Sequence, residues 1–172
     1  TYIGASPHLE LGSTCATCHD VHSLTLNMET CNVCHPGVDD VTTIRMTVVD
    51  TPEVDYDGDA DVAEGIANEI ATLEDALLVA IKDYAQNTAG APIGYDAHQY
   101  PYFFGDANAN GVFDADEGAY TSWTPNLLRA AYNYQWVQKD PGAYAHNGLY
   151  IIQVLYDSLA NSGADVTAYT RP

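Results

Sequence analysis

The sequence is poor in positive charge. Five lysines and arginines stand against 24 acidic residues, a formal net charge of −19 over 172 residues. A field of that sign repels nucleic acid and anionic lipid, and it suits bound cations and a solvated exterior. Long apolar runs are also missing, so no segment reaches the length of a membrane span. No leader peptide is visible at Thr1, and an exported chain would be read here in its mature form. Methionine is scarce, Met28 and Met46 being the two copies. None of the four cysteines, Cys15, Cys18, Cys31 and Cys34, is left for a disulfide, because all lie in two short matching stretches. No glycine-rich phosphate loop or nucleophile elbow is present. Hydrophobic residues nonetheless make up 47% of the chain, enough for the packed core of one domain of ordinary size.

The matching stretches are TCATCHDVH, residues 14–22, and TCNVCHPG, residues 30–37. The spacing has two chemical readings. One is a four-cysteine zinc site. The other is a pair of c-type haems, each held by two thioethers and by the histidine that follows. Zinc saturated by four thiolates needs neither His19 nor His35. The chain has six histidines, and one after each CxxC by chance is roughly a one-in-a-thousand event on average residue usage. Covalent haem is therefore expected at Cys15 with Cys18 and at Cys31 with Cys34, with His19 and His35 as proximal iron ligands. Such attachment takes place outside the cytoplasm, which implies a periplasmic or extracellular protein.

Four histidines remain for two distal positions: His8, His22, His98 and His146. His22 leaves on the proximal side of its own haem and is placed to reach a neighbouring iron. His146 stands at the entry to an amphipathic segment, a rigid way to present an imidazole. These two are the preferred distal ligands. His8, in a polar arm, and His98, in an aromatic loop, read equally as a surface and a packed histidine. Met28 and Met46 look no better placed and serve as core filler.

The stretch AHNGLYIIQVLYDSL, residues 145–159, resembles the terminal helix of multihaem c-type cytochromes, in which an HNP-like start followed by tyrosine and an apolar stripe delivers a distal histidine. Gly148 stands where that family often has proline. The doubled CxxCH and CHDVH resemble the same group. The resemblance implies a bis-histidine electron carrier, of the kind that includes cytochromes polymerising into extracellular filaments. It raises the expectation of a homopolymer in which a histidine of one subunit ligates an iron of the next, with His8 the first candidate for the crossing ligand and His98 the second.

The expected fold class is mainly α with extensive loops, a haem-organised segment over residues 1–40 packed on about three helices within a single dihaem domain of residues 1–172. Ile66, Ile70, Leu73, Leu77 and Ile81 repeat at helical spacing and predict a long helix over 62–86. Thr124-Pro125 is an N-cap and first-turn pair that opens a second helix over 125–138. Pro141-Gly142 breaks the chain, and a third helix runs to about Ala160. The β-branched run at 41–52 suggests a short strand.

Residues 106–117, DANANGVFDADE, match the twelve-residue calcium loop at every ligand position: Asp106, Asn108, Asn110, the Val112 carbonyl, Asp114 and Glu117, with Gly111 at the sharp turn. Flanking helices are not evident, so the loop reads as an isolated structural site. A weaker relative covers 55–64, where Asp55, Asp57, Asp59, Asp61 and Glu64 crowd the start of the long helix. Its glycine comes too early, and the alternative is an acidic helix start favoured by the dipole.

The reading is an exported dihaem electron carrier with calcium, working with redox partner proteins or copies of itself, rather than an enzyme. A nitrite or hydroxylamine reductase-like catalyst needs an open iron position and cations to receive an anion, and only Arg45, Lys82, Arg129, Lys139 and Arg171 are available. A structural zinc and calcium module is the other alternative.

Overall fold

The computed structural model describes residues 1–4, 8, 14–45 and 53–172. Among the described residues, four α-helices and a two-stranded antiparallel sheet follow one another as α1 (Met28–Asn32), α2 (Ile66–Tyr84), β1 (Ile93–Tyr95), β2 (Phe103–Gly105), α3 (Pro125–Gln138) and α4 (Ala143–Asn161). The chain forms two compact units, one of Thr1–Leu73, Asp140–Val154 and Thr167–Pro172, the other of Glu74–Lys139 and Leu155–Val166.

The long helix lies where the apolar spacing puts it. Ile66, Ile70, Leu73, Leu77 and Ile81 are all buried, each such side chain contributing about 1.5–3 kcal/mol. A π-turn at Ala85–Ala89 ends it, closed by Gly90 in the left-handed region at φ 75°. The Thr124 side chain accepts from Leu127 N at 3.2 Å, and Pro125 opens α3, as the local cap predicts. Leu127, Ala130, Ala131, Tyr134 and Val137 form its buried face.

The small sheet was not legible in the sequence. Ile93 pairs with Gly105, Gly94 with Phe104 and Tyr95 with Phe103. Gly94 is required, because a Cβ there would collide with the Phe104 ring. Tyr95, Phe103 and Tyr134 stack beside the hairpin, with Tyr95–Tyr134 centroids 4.9 Å apart.

α4 is interrupted. Asn147 takes φ −165° and ψ 67°, so Ala143–His146 form a separate first turn before the main helix. Gly148 leaves room for Ile66, whose Cγ2 would lie 2.8 Å from a Cβ at that position. The buried Gln153 accepts from Ile3 N at 2.7 Å and donates to Pro172 O at 2.6 Å. At 41–52, the expected strand, Val41–Thr43 instead form a 3-10 turn in which Asp40 Oδ1 accepts from Thr42 N at 2.9 Å; residues 46–52 lie outside the described residues.

Candidate functional site

The two cysteine stretches fold into the same backbone turn. In the first, Cys18 N donates to Cys15 O at 3.2 Å and His19 N to Cys15 O at 2.9 Å. In the second, Cys34 N donates to Cys31 O at 3.2 Å and His35 N to Cys31 O at 2.9 Å. Residues three and four apart on such a turn share a face, so each turn groups two thiols with the imidazole that follows.

Each turn is held by a polar side chain that spacing did not reveal. Asn32 lies inside the second motif. Its amide donates to Met28 O and Val38 O, both at 2.9 Å, and accepts from Gly37 N at 2.8 Å and Val38 N at 3.1 Å. Asp20 does the same work after the first motif. Its Oδ1 accepts from His22 N at 3.0 Å, Ser23 N at 2.8 Å and Ser23 Oγ at 2.9 Å. Those bonds, the Ser23 backbone first, hold its carboxyl below the usual range. The turn ends on Leu24 at φ 60°, a conformation that costs a non-glycine residue about 1–2 kcal/mol. The Leu24 carbonyl then meets His19 Nδ1 at 2.9 Å.

That contact fixes a tautomer. An imidazole that donates Nδ1–H to an oxygen keeps its lone pair on Nε2, the atom that binds a metal. Two further histidines are held in the same way. His8 Nδ1 lies 3.0 Å from Ala145 O, and His146 Nδ1 lies 2.8 Å from Asp140 Oδ1. The His146 ring also lies on Gly142, where a Cβ would stand 2.8 Å from Cε1. His8, the start of α4 and the second motif come together. Burial, then the His8 charge, pushes the His35 imidazole down. Burial pushes the Tyr144 phenol up, with Asp40 and Cys31 adding to it. Burial and then Cys18 raise the Cys31 thiol. His8 and His146 are exposed, as are His22 and His98, and the two pairs differ in ring hydrogen bonding. The His22 and His98 rings make no hydrogen bond among the described residues; His98 belongs to the second unit.

Among the described residues, the four thiols do not converge as a four-cysteine zinc site requires. Among the described residues, the groups of three or more His, Cys, Asp and Glu whose ligand atoms converge within 4.8 Å contain carboxylates alone.

The loop at 106–117 is wound around the buried Asp106. Asp106 accepts from Asn110 N at 3.0 Å and Gly111 N at 2.9 Å, and Gly111 takes φ 75°. Asn110 Oδ1 accepts from Val112 N at 2.7 Å, and Glu117 from Ala107 N at 3.1 Å and Asp114 N at 3.0 Å. Asp114 Oδ2 receives the amides of Asn108 and Asn110, each at 2.9 Å.

At 55–64 the carboxylates divide into two roles. Asp55 and Asp61 cap turns: Asp55 accepts from Gly58 N at 2.5 Å and Ala60 N at 2.9 Å, and Asp61 from Ala63 N at 2.9 Å. Asp57, Asp59 and Glu64 converge within 4.8 Å, as do Asp55, Asp57 and Glu69. Burial, then Asp57, pushes the Glu64 carboxyl up to about 7. Sequence reasoning missed Glu69, which is fully buried. It accepts from Arg45, from Tyr56 N at 2.8 Å and from Asp57 N at 2.9 Å.

Part of the chain is related to multihaem cytochromes. It is 36% identical over 77 residues to the C-type polyheme cytochrome OmcB of Geobacter sulfurreducens, covering 38% of this chain and 10% of that protein. The C-type polyheme cytochrome OmcC of the same organism matches with the same identity and coverage. The chain thus spans about a tenth of the length of these relatives. No family model matches, and no solved structure matches.

Proposed function

We propose that the chain is a dihaem c-type cytochrome segment that carries electrons outside the cytoplasm. The observation that carries the reading is the doubled CxxCH turn, with matching hydrogen-bond lengths in both copies. The partial relationship to polyheme cytochromes supports it. Cys15, Cys18, Cys31 and Cys34 would hold the porphyrins by thioethers, with His19 and His35 on the irons. Haem supplies one-electron chemistry when bound. The protein's part is to fix the imidazoles and shield the irons from other ligands.

The anchored Nδ1 atoms favour His8 and His146 as the intramolecular distal ligands, with His8 facing the His35 side. This reverses the order drawn from spacing, which preferred His22 and placed His8 on an outward arm. His22 and His98, whose rings have no such anchor, are then the pair left to meet a haem of another copy or of a partner, so a filament would be joined through His98 or His22. Calcium at 106–117 is supported by the wound loop and would be structural.

A reductase reading is disfavoured by what the cations do. Arg45 is bound to Glu69 and to the Val54 and Glu64 carbonyls. Lys139 lies 4.5 Å over the Tyr102 ring and Arg171 lies 5.3 Å over the Tyr2 ring. Arg45 is committed to carboxylate and carbonyl oxygens of its own chain.

Intact-mass and visible spectroscopy test the reading. The denatured chain should keep the mass of two haems, and Cys31→Ala with Cys34→Ala should lose one. His8→Ala should turn about one iron high-spin, whereas His22→Ala should leave diluted protein low-spin. A polypeptide without attached haem would refute the carrier; a high-spin shift from His22→Ala alone would restore the order drawn from spacing.

A further inference from the structure

We propose that Asp57, Asp59 and Glu64 bind a calcium ion at the foot of α2, separate from the 106–117 loop and independent of the haem reading. The two convergent groups of carboxylates share Asp57, but their hydrogen bonding separates them. In the first, Asp55 has both oxygens on backbone amides, and Glu69 has Arg45 on one oxygen and two amides on the other. Asp55 and Glu69 are therefore satisfied without an ion, and the shared Asp57 is the one open carboxylate there.

The second group is not complete. Asp57 is 4% exposed, and its Oδ2 has no hydrogen-bond partner. Glu64 Oε1 is likewise shut from solvent and unpartnered. Asp59 spends Oδ1 on Asp61 N at 2.7 Å. Unpartnered carboxylate oxygens out of water cost several times a normal hydrogen bond, and neighbouring anions repel more strongly there. One cation among them removes both costs.

The surroundings make the cluster a formed site rather than a solvated acidic face. Gly58 takes φ 81°, and a Cβ there would lie 2.5 Å from Ala168 O, so the loop is backed by the chain near its end. Gly65 packs so closely on Thr42 that any side chain would collide with its carbonyl. Ile66 N donates to Ile44 O at 3.1 Å and Thr170 N to Tyr56 O at 3.0 Å. Oxygen-only ligands select a hard cation, and an irregular loop set suits calcium better than magnesium, which demands near-ideal octahedral geometry. A bound ion here would brace the segment that follows the second CxxCH turn against α2.

The test uses the full haem-loaded chain carrying Asp106→Ala and Glu117→Ala, which silences the other loop. Calcium chloride is titrated by calorimetry, and bound metal is counted after desalting. One calcium per chain is expected, with affinity at least about tenfold weaker after Glu64→Gln or Asp57→Asn, since ligand charge sets affinity in such sites. In the otherwise unaltered chain Glu64→Gln should remove one bound calcium, so the result does not depend on the double variant folding. The haem spectrum checks the fold throughout and reports on the carrier reading separately. No calcium in the double variant, affinity unchanged by Glu64→Gln, or magnesium bound in preference would each overturn the proposal.

Discussion

Replacing Gly142 by alanine should disturb the His146 imidazole, the proposed distal ligand, more than it disturbs the fold. The His146 ring rests on Gly142, and a Cβ there would stand 2.8 Å from Cε1, 3.1 Å from Nε2 and 3.3 Å from Nδ1. Carbon atoms prefer about 3.5–4.0 Å, so the ring must move by roughly 1 Å. The 2.8 Å bond from His146 Nδ1 to Asp140 Oδ1 then lengthens past the limit of a hydrogen bond. Bonds to charged groups contribute about 1.5–3 kcal/mol. The His146 side chain is 59% exposed, so solvent reduces this to about 1 kcal/mol, near a fivefold change in the fraction of correctly held imidazole. Gly142 also precedes α4, and its carbonyl accepts from Ala145 N and His146 N, both at 2.9 Å. Alanine is a poorer N-cap than glycine by about 0.5–1 kcal/mol, which for a chain of this size lowers Tm by about 1–4 °C. The assay is the visible and electron paramagnetic resonance spectrum of ferric protein beside its melting curve. Gly142→Ala should give a measurable high-spin fraction with a small fall in Tm. Asp140→Asn, which keeps the shape of the capping side chain, should reproduce the spectral change with less effect on melting. If both variants keep the parent spectrum, His146 is not preorganised by this contact and the argument from Nδ1 anchoring fails for it.

Calcium at 106–117 should stabilise its unit: at free ion about 100 times Kd the linkage is about 2.7 kcal/mol, or about 5–11 °C in Tm. Excess chelator, or Asp106→Ala with Glu117→Ala, should remove that increment in calorimetry, and equal melting with and without chelator would argue against the site. Glu74 gives a pH prediction. Burial raises its carboxyl from 4.5 to about 7, so between those values the folded chain holds a proton that the unfolded chain has lost. Stability should therefore fall as pH rises from about 4.5 through about 7. Glu74→Gln should flatten this slope in urea titrations at several pH values; an unchanged slope would place the titrating group elsewhere.

Much of the chemistry was legible because it is written in local spacing. A CxxCH turn needs only bonds from residues 18 and 19 back to 15 and from 34 and 35 back to 31. The N-cap of α3 and the winding of 106–117 are likewise made by residues close in sequence. The hairpin at 93–105 was not legible, because three-residue strands carry too little periodicity and Gly94 is explained only by the Phe104 ring across from it.

What the sequence determined by itself was the kind of chemistry to look for: two CxxCH stretches, four further histidines, two acidic loops and few cations. Tertiary structure alone decided the partners. His8 meets Ala145 across 137 residues, Arg45 meets Glu69 across 24, and the acidic loop at 55–64 divides into turn caps and a convergent trio. Such contacts depend on distances through space. Chain spacing specifies a distance only while the bonds between two residues are few and the turn between them is fixed.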